Sequence, residues 1–447
     1  MALTIQQQPT TPNQANADLL YVVTSDSSSK PQFQFVMELS DGTSNTRTYK
    51  LRQQPSPSGK AVFNIGHMAS EFLGIDTPFK TPNVQTSSLS GIELSTVFYE
   101  EYGTSTSSSV ALYDGTSGSG GFYLLDGVVE PNSGDFNFAS ASYYTSSVTP
   151  TGGGADYGGL QHGLTNCPHT QSVRNDEYST LSIINGNFDT SDTNAQDIYY
   201  IQVNVYNEAG SNIQNFGWYN IDDSTHNGGP RANSTQEWTN GGVYNTQDNG
   251  TRLIHIASGP KNFEDGGNTL NSNWASYKIT IMGQESSGIE DEGAQYAQKW
   301  FTKSEGECGY SGTRFAFLNE LGGYDYFSFD LADTKQDNIT RETYEQPFVP
   351  YSTTTNSTPY DKSRRGSKVY SISYKETRGA ESNYLTQEQA DWLRELIESP
   401  EVYVQEGDDF LPVVVTNSNF TFKTNPRSQK LYTLNIQYEL SNNRRSR

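Results

Sequence analysis

Lys368-Val-Tyr-Ser-Ile-Ser-Tyr-Lys-Glu-Thr377 alternates without a break, with Val369, Ser371, Ser373 and Lys375 on one side and Tyr370, Ile372 and Tyr374 on the other. Successive side chains of a strand point to opposite faces, so this period of two reads as a strand. The period then changes. Thr386-x-x-Gln389 has the capping-box pattern, Trp392, Leu393, Leu396 and Ile397 recur at helical spacing, and Pro400 ends the run. Together they predict one amphipathic helix over 387–399. Strands are expected again at 402–404, 411–416, 420–423 and 431–440. Upstream, Leu321-Gly-Gly323 separates two more, at 315–319 and 326–329, as strand, glycine turn, strand. The last third, 296–447, thus reads as a β domain carrying one helix.

The same period runs toward the N-terminus. Strands are expected at 19–24, 32–39, 47–53, 61–65, 93–101, 110–113 and 121–129, with a short helix near 66–73. Asp41-Gly42, Pro55-Ser-Pro-Ser-Gly59 and Asp114-Gly115 supply turns between several of them. This is the strand spacing of an Ig- or fibronectin-like sandwich, and it assigns 1–130 to an N-terminal β-sandwich. Residues 131–160 are rich in Ser, Thr and Gly and read as a linker or exposed loop. A middle β-sandwich is expected over 161–295, with strands at 178–184, 197–206, 215–220, 252–256 and 274–282. Its Asn/Gly/Thr-rich stretch from Asp222 to Gly250 reads as a surface excursion toward a neighbour or ligand. The fold class is therefore all-β: two to three sandwich domains with one amphipathic helix in the last.

Composition narrows the function. The chain has 447 residues, 33% of them hydrophobic and 18% charged, against about 25% charged in an average domain. Its 12% aromatic content argues against disorder, because disordered chains lack the rings that build cores. The net charge of −22 opposes nucleic acid as the main ligand and opposes anionic membrane. No apolar run is long enough for a membrane-spanning helix, so membrane insertion is not expected. Two cysteines, Cys167 and Cys308, exclude a disulfide scaffold. Met1–Asn13 has neither a basic nor an apolar leader region, so no secretion signal is expected.

Candidate chemistry is sparse. Asn185, Asn187 and Asp189 have the first spacings of a calcium loop, but Thr190 stands where its turn glycine belongs and Gln196 where its bidentate glutamate belongs. A plain loop is the better reading. Cys167, His169 and His162 are too few for zinc, with Cys308 remote. His255 lies in an alternating strand and reads as a packed or surface imidazole. Glu100-Glu101 and Glu305-x-Glu307 are carboxylate pairs of the kind any acidic chain contains, and no phosphate loop is present. Neither a catalytic residue, a metal site nor a cofactor is assigned, and the protein is not expected to be an enzyme.

Aromatic clusters carry more. Tyr offers large contact area with a polar tip, which suits half-buried strands, subunit contacts and sugar stacking. Clusters occur at Phe98-Tyr99 with Tyr102, at Tyr143-Tyr144, Tyr199-Tyr200 and Trp218-Tyr219, and at Tyr324-Asp-Tyr-Phe327. Lys362, Arg364, Arg365 and Lys368, with Arg444 and Arg445 near the C-terminus, form basic patches on an acidic chain. They suit a charge-complementary contact with an acidic neighbour, including another copy, or a solvated face. Tyr324, Tyr326, Phe327, Arg364, Arg365, Lys368, Arg444 and Arg445 are the candidate assembly contacts.

Several stretches carry a resemblance: Gln8-Pro-Thr-Thr-Pro-Asn13, Leu20-Tyr-Val-Val-Thr-Ser25, Phe33-Gln-Phe-Val36 and Val62-Phe-Asn-Ile65, then Leu164-Thr-Asn-Cys-Pro168 and His255-Ile-Ala-Ser-Gly-Pro260. In the last third they are Phe317-Leu-Asn-Glu-Leu-Gly-Gly-Tyr-Asp-Tyr-Phe327, Ile339-Thr-Arg341 and Trp392-Leu-Arg-Glu-Leu-Ile-Glu-Ser-Pro-Glu-Val-Tyr403. The chain resembles tail-associated structural proteins of bacteriophages infecting Bacteroidetes or related marine bacteria. That resemblance implies β modules in a ring or hub of the tail, baseplate or neck, contacting further copies and other virion proteins. It also implies a virion location after synthesis in the host cytoplasm. The alternative is a receptor- or glycan-binding fibre or tip protein, with a host-surface glycan as ligand. A β-fold polysaccharide depolymerase ranks behind both.

Overall fold

The computed structural model describes residues 3–9, 13–41, 47–87, 89–113, 122–127, 163–184, 198–219, 253–283, 295–306, 312–331, 333–346, 354–357, 366–417 and 433–442. The fold is all-β, as the alternation predicts, and the chain groups into two compact units. One is Met1–Glu305 with Leu318–Asp325, the other Gly306–Phe317 with Tyr326–Arg447. The expected linker at 131–160 lies outside the described residues, and the segments on either side of it belong to the first unit.

Within that unit, one sandwich sets a three-stranded sheet, Leu3–Gln7, Leu20–Ser25 and Lys60–Asn64, against a larger one. The larger sheet runs Asn13–Gln14, Phe122–Leu125, Gly91–Tyr102, Gln34–Ser40, Thr48–Gln53, with Ala111–Tyr113 also on Gly91–Tyr102. The period of two is visible in Gly91–Tyr102, where Leu94, Thr96, Phe98, Glu100 and Tyr102 are buried and the residues between them half-buried. Tyr21, Phe35, Met37, Phe63 and Phe98 fill the space between the sheets. Phe122–Leu125 is buried on both faces. Phe122 and Leu124 enter this core, while Tyr123 and Leu125 join a separate cluster with Leu164, Ile184, Leu253 and Leu321.

A second sandwich of the unit packs five strands, ordered Thr170–Val173, Gln295–Lys303, Ser276–Gly283, Ile198–Tyr206 and Asn212–Tyr219, on three. The three are Thr180–Ile184, Leu253–Ala257 and Val84–Thr86. Val84–Thr86 comes from the first third of the chain yet pairs with Leu253–Ala257, so the N-terminal and middle modules share a sheet. Trp218, Phe263, Tyr277 and Phe301 dominate the core.

The sheet of the second unit is ordered Tyr324–Phe329, Thr313–Leu318, Val402–Glu406, Asp409–Val415, Asn435–Leu440, Ser367–Glu381, Asp333–Glu345. The capping box at Thr386 and Gln389 forms as expected. The single helix expected over 387–399 is two short ones, Gln387–Trp392 and Arg394–Glu398, meeting at Leu393, whose ψ of −5° tightens the backbone there. Trp392, Leu393 and Leu396 are buried, while Ile397 is only half-buried. Trp392 packs between Phe317 and Phe327, with ring centroids 5.8 and 5.9 Å away.

Candidate functional site

The described residues place the suspected chemistry inside the protein. His255 and Ser182 face each other across the Thr180–Ile184 and Leu253–Ala257 ladder, with Ser182 Oγ 2.9 Å from His255 Nδ1. Asp76 accepts hydrogen bonds from the Ser87 hydroxyl and from the Leu89 and Ser90 amides at 3.0 Å. Serine, histidine and aspartate invite a hydrolase reading, but Ser182, His255 and Asp76 are all buried in the fold, and His255 Nε2 makes no hydrogen bond. Burial by itself raises the Asp76 pKa, yet the Ser87, Ser90 and Leu89 donors hold it below the usual carboxylate range. Burial drives the His255 imidazole down to about 4, against a weaker opposing pull from Asp76. The group is a polar brace in the core.

That brace makes the first unit acid-sensitive. The neutral imidazole is favoured in the fold, so its contribution is complete above pH 6.5 and lost as pH falls through about 4. The span corresponds to about 3 kcal/mol. Urea midpoints measured from pH 7.5 to 4 should fall for the native protein, and His255→Gln should flatten that part of the slope. Equal slopes in the two proteins would refute it.

Glu100 and Glu101 are adjacent on one strand and point to opposite faces, Glu100 toward the Ser25 hydroxyl and Glu101 toward Arg52 at 2.8 Å. Glu305 pairs with Lys303 at 2.6 Å, and Glu307 lies outside the described residues. Among the described residues no cluster of three His, Cys, Asp or Glu could hold a metal ion. Asn185, Asn187, Asp189, His162 and Cys308 lie outside them.

Of the expected assembly contacts Tyr324, Tyr326 and Phe327, the two tyrosines are buried and Phe327 is half-buried. Tyr324 and Tyr326 are interior residues, Tyr324 against Phe79 with ring centroids 5.0 Å apart and Tyr326 beneath the Arg314 guanidinium at 5.5 Å. Phe327 is spent on Trp392. The physical reason lies in the preceding turn. Gly322 has φ +88°, and a Cβ there would meet the Asp126 carbonyl oxygen at 1.8 Å, so the turn is pressed against Asp126 just before Tyr324. Arg364, Arg365, Arg444 and Arg445 lie outside the described residues. Lys368 is exposed and stands opposite Tyr344.

That pairing leads to the most exposed regular structure among the described residues. Asp333–Glu345 is a 13-residue strand with every residue exposed, and it pairs along its whole length with Ser367–Glu381. Only Thr377–Glu381 of the inner strand is also paired with Asn435–Leu440. Beyond it, among the described residues, 337–345 and 367–376 continue as a two-stranded ribbon. Ile339 faces Tyr374 and Arg341 faces Ile372 across it, and a bulge follows at Glu342 and Thr343. Ile339, Tyr344, Val369 and Tyr370 are between 44% and 61% exposed, with the Tyr344 and Tyr370 rings 6.2 Å apart. Where the ribbon leaves the sheet, Glu376 is bound by Lys335 at 2.8 Å, Arg378 at 2.6 Å and the Tyr374 hydroxyl at 3.0 Å. Those contacts, Lys335 first, hold its carboxyl down to about 2. Lys375 bridges to Glu439 at 2.9 Å. The ribbon was only half legible: Lys368–Thr377 alternates, whereas Asp333–Glu345 has only Ile339 and Tyr344 among polar residues, too few and too far apart to signal a strand.

No family model and no curated protein matches the chain. Among solved structures, the Bacillus anthracis TIE protein is similar with a TM-score of 0.13 and 8% identity, over 84% of this chain and 69% of that one. A likeness of that size carries no argument. The class that the geometry defines is an all-β protein in which, among the described residues, 337–345 and 367–376 form an exposed two-stranded ribbon. Among the described residues no helix is long and apolar enough to cross a membrane.

Proposed function

We propose that this protein is a structural component of a bacteriophage virion, in the tail, baseplate or neck, that assembles with copies of itself and with other virion proteins. The ribbon carries the reading. A two-stranded ribbon is marginal in water on its own, and an exposed strand edge offers a row of unpaired backbone groups to another chain. Among the described residues the outer strand is an edge about 40 Å long, exposed throughout, and the ribbon displays Ile339, Tyr344, Val369 and Tyr370 to solvent. Strand addition along that edge would satisfy the backbone and cover those side chains. The sequence resemblance supports the same reading, as does the burial of Ser182, His255 and Asp76, which leaves that trio no access to substrate.

Light-scattering mass on a size column, with negative-stain images of the same peak, tests it. A closed ring is expected. Ile339→Asp with Tyr370→Asp, both on the exposed ribbon, should abolish the ring and leave the thermal midpoint within about 2 °C, as surface changes do. A ring that survives both substitutions, or a monomer at every concentration, would count against the proposal. A compact trimer would move the reading to the receptor-binding alternative.

A further inference from the structure

Lys299 occupies a position where an apolar side chain belongs. It lies on the strand Gln295–Lys303, two residues before the core residue Phe301 and on the same face, and it is 1% exposed. A buried ammonium group is costly unless paired. None of the ion pairs among the described residues includes Lys299. Its amine instead donates to the Pro168 carbonyl and lies 2.8 Å from Cys167 Sγ.

The sheet register enforces this meeting. Thr170–Val173 runs parallel to Trp300–Lys303, so the segment entering it, Cys167-Pro-His169, is laid beside Lys299. The Cys167 backbone is held as well: its amide donates to Thr165 Oγ1 at 3.0 Å, and the Thr165 hydroxyl donates to Asp325 Oδ1 at 2.6 Å. Burial keeps the thiol protonated at neutral pH, its pKa pushed up to about 11 despite the nearby Lys299 charge. Cys167 is half-buried as a residue.

We propose that Cys167 and Lys299 form a redox-controlled covalent cross-link, in which a hydroperoxide places one oxygen atom between Sγ and Nζ. One thiol, one ammonium group and two molecules of hydrogen peroxide give the S–O–N bridge, three molecules of water and one proton released to solvent. The S–H bond and two N–H bonds are lost, one of the latter as the released proton, S–O and O–N bonds form, and the four electrons released cleave the two peroxide O–O bonds. Four electrons from a thiol reductant reverse the step and return thiol, amine and one water. The bridge would join segments 132 residues apart in sequence. It does not depend on the virion reading.

The test is peptide mapping of the folded full chain after dilute hydrogen peroxide, digested with trypsin without reductant and weighed by mass spectrometry. The expected product joins the Cys167 and Lys299 peptides, its mass their sum plus one oxygen less two hydrogens. Cleavage after Lys299 should be lost, and dithiothreitol should restore both peptides. Cys167→Ser, whose hydroxyl still accepts from Lys299, should abolish the product. Normal cleavage after Lys299 with Cys167 recovered as a thiol, a sulfinic acid or a disulfide with Cys308 would overturn the proposal. So would a linkage lacking the oxygen.

Discussion

Asn262→Ala is expected to destabilise the first unit by about 3–9 kcal/mol, because it strands three buried backbone groups at once, each worth roughly 1–3 kcal/mol when left unsatisfied. Asn262 is fully buried. Its Oδ1 accepts from the Ser179 amide at 2.8 Å, and its Nδ2 donates to the Phe79 and Thr81 carbonyls at 2.9 and 2.8 Å. One side chain therefore holds the short helix Pro260–Asp265, the turn Pro78–Lys80 and the start of the strand Thr180–Ile184 in place. The neighbouring Phe263 then packs on Trp218 and Tyr277 in the core. A loss of this size is a large fraction of the ~5–15 kcal/mol typical of a domain. Urea unfolding followed by tryptophan fluorescence measures it. Asn273→Ala, at an exposed position eleven residues on, should change stability by less than about 0.5 kcal/mol. Equal midpoints for the two variants would show that the three hydrogen bonds do not hold the unit together.

Leu396→Asp is expected to unfold the second unit. Leu396 is fully buried on the helical segment Arg394–Glu398. The substitution forfeits about 1.5–3 kcal/mol of apolar burial and forces a carboxylate into the same space, at a cost of several kcal/mol more. That sum approaches the whole stability of a domain. The helical pair would lose its hold on the sheet, where Trp392 now sits between Phe317 and Phe327. Limited trypsin digestion should then cut after Lys375, Arg378 and Arg394 at rates that leave the native protein intact. Glu388→Ala, on the exposed side of the first turn, should digest like the native protein. Trypsin resistance of Leu396→Asp would refute the expectation.

Both predictions touch the boundary between local pattern and tertiary structure. The helix around Leu396 was legible because its signals are local. Thr386 caps within three residues, the apolar face repeats every three or four, and Pro400 stops the run. Where that reading fell short, at Leu393 and Ile397, the deciding factor was how the segment meets the sheet. The aromatic block at Tyr324 misled for the opposite reason. Tyr and Phe at alternate positions suit a core and an interface equally, and only the course of the Gly322 turn decides between them.

The sequence by itself determined the all-β class, most of the strands, and the capped helical segment, because a period of two, a capping box and turn residues act over a few positions. It also pointed to the inner strand of the ribbon. Tertiary structure alone decided the rest. Asp333–Glu345 is a strand because Ser367–Glu381 supplies its ladder, and no side-chain pattern within it says so. Val84–Thr86 pairs with a strand some 170 residues later, and Lys299 meets Cys167 only because a parallel register lays their segments side by side. Contacts of that range depend on how the chain returns to itself, and the physical forces that fix the return are summed over whole sheets.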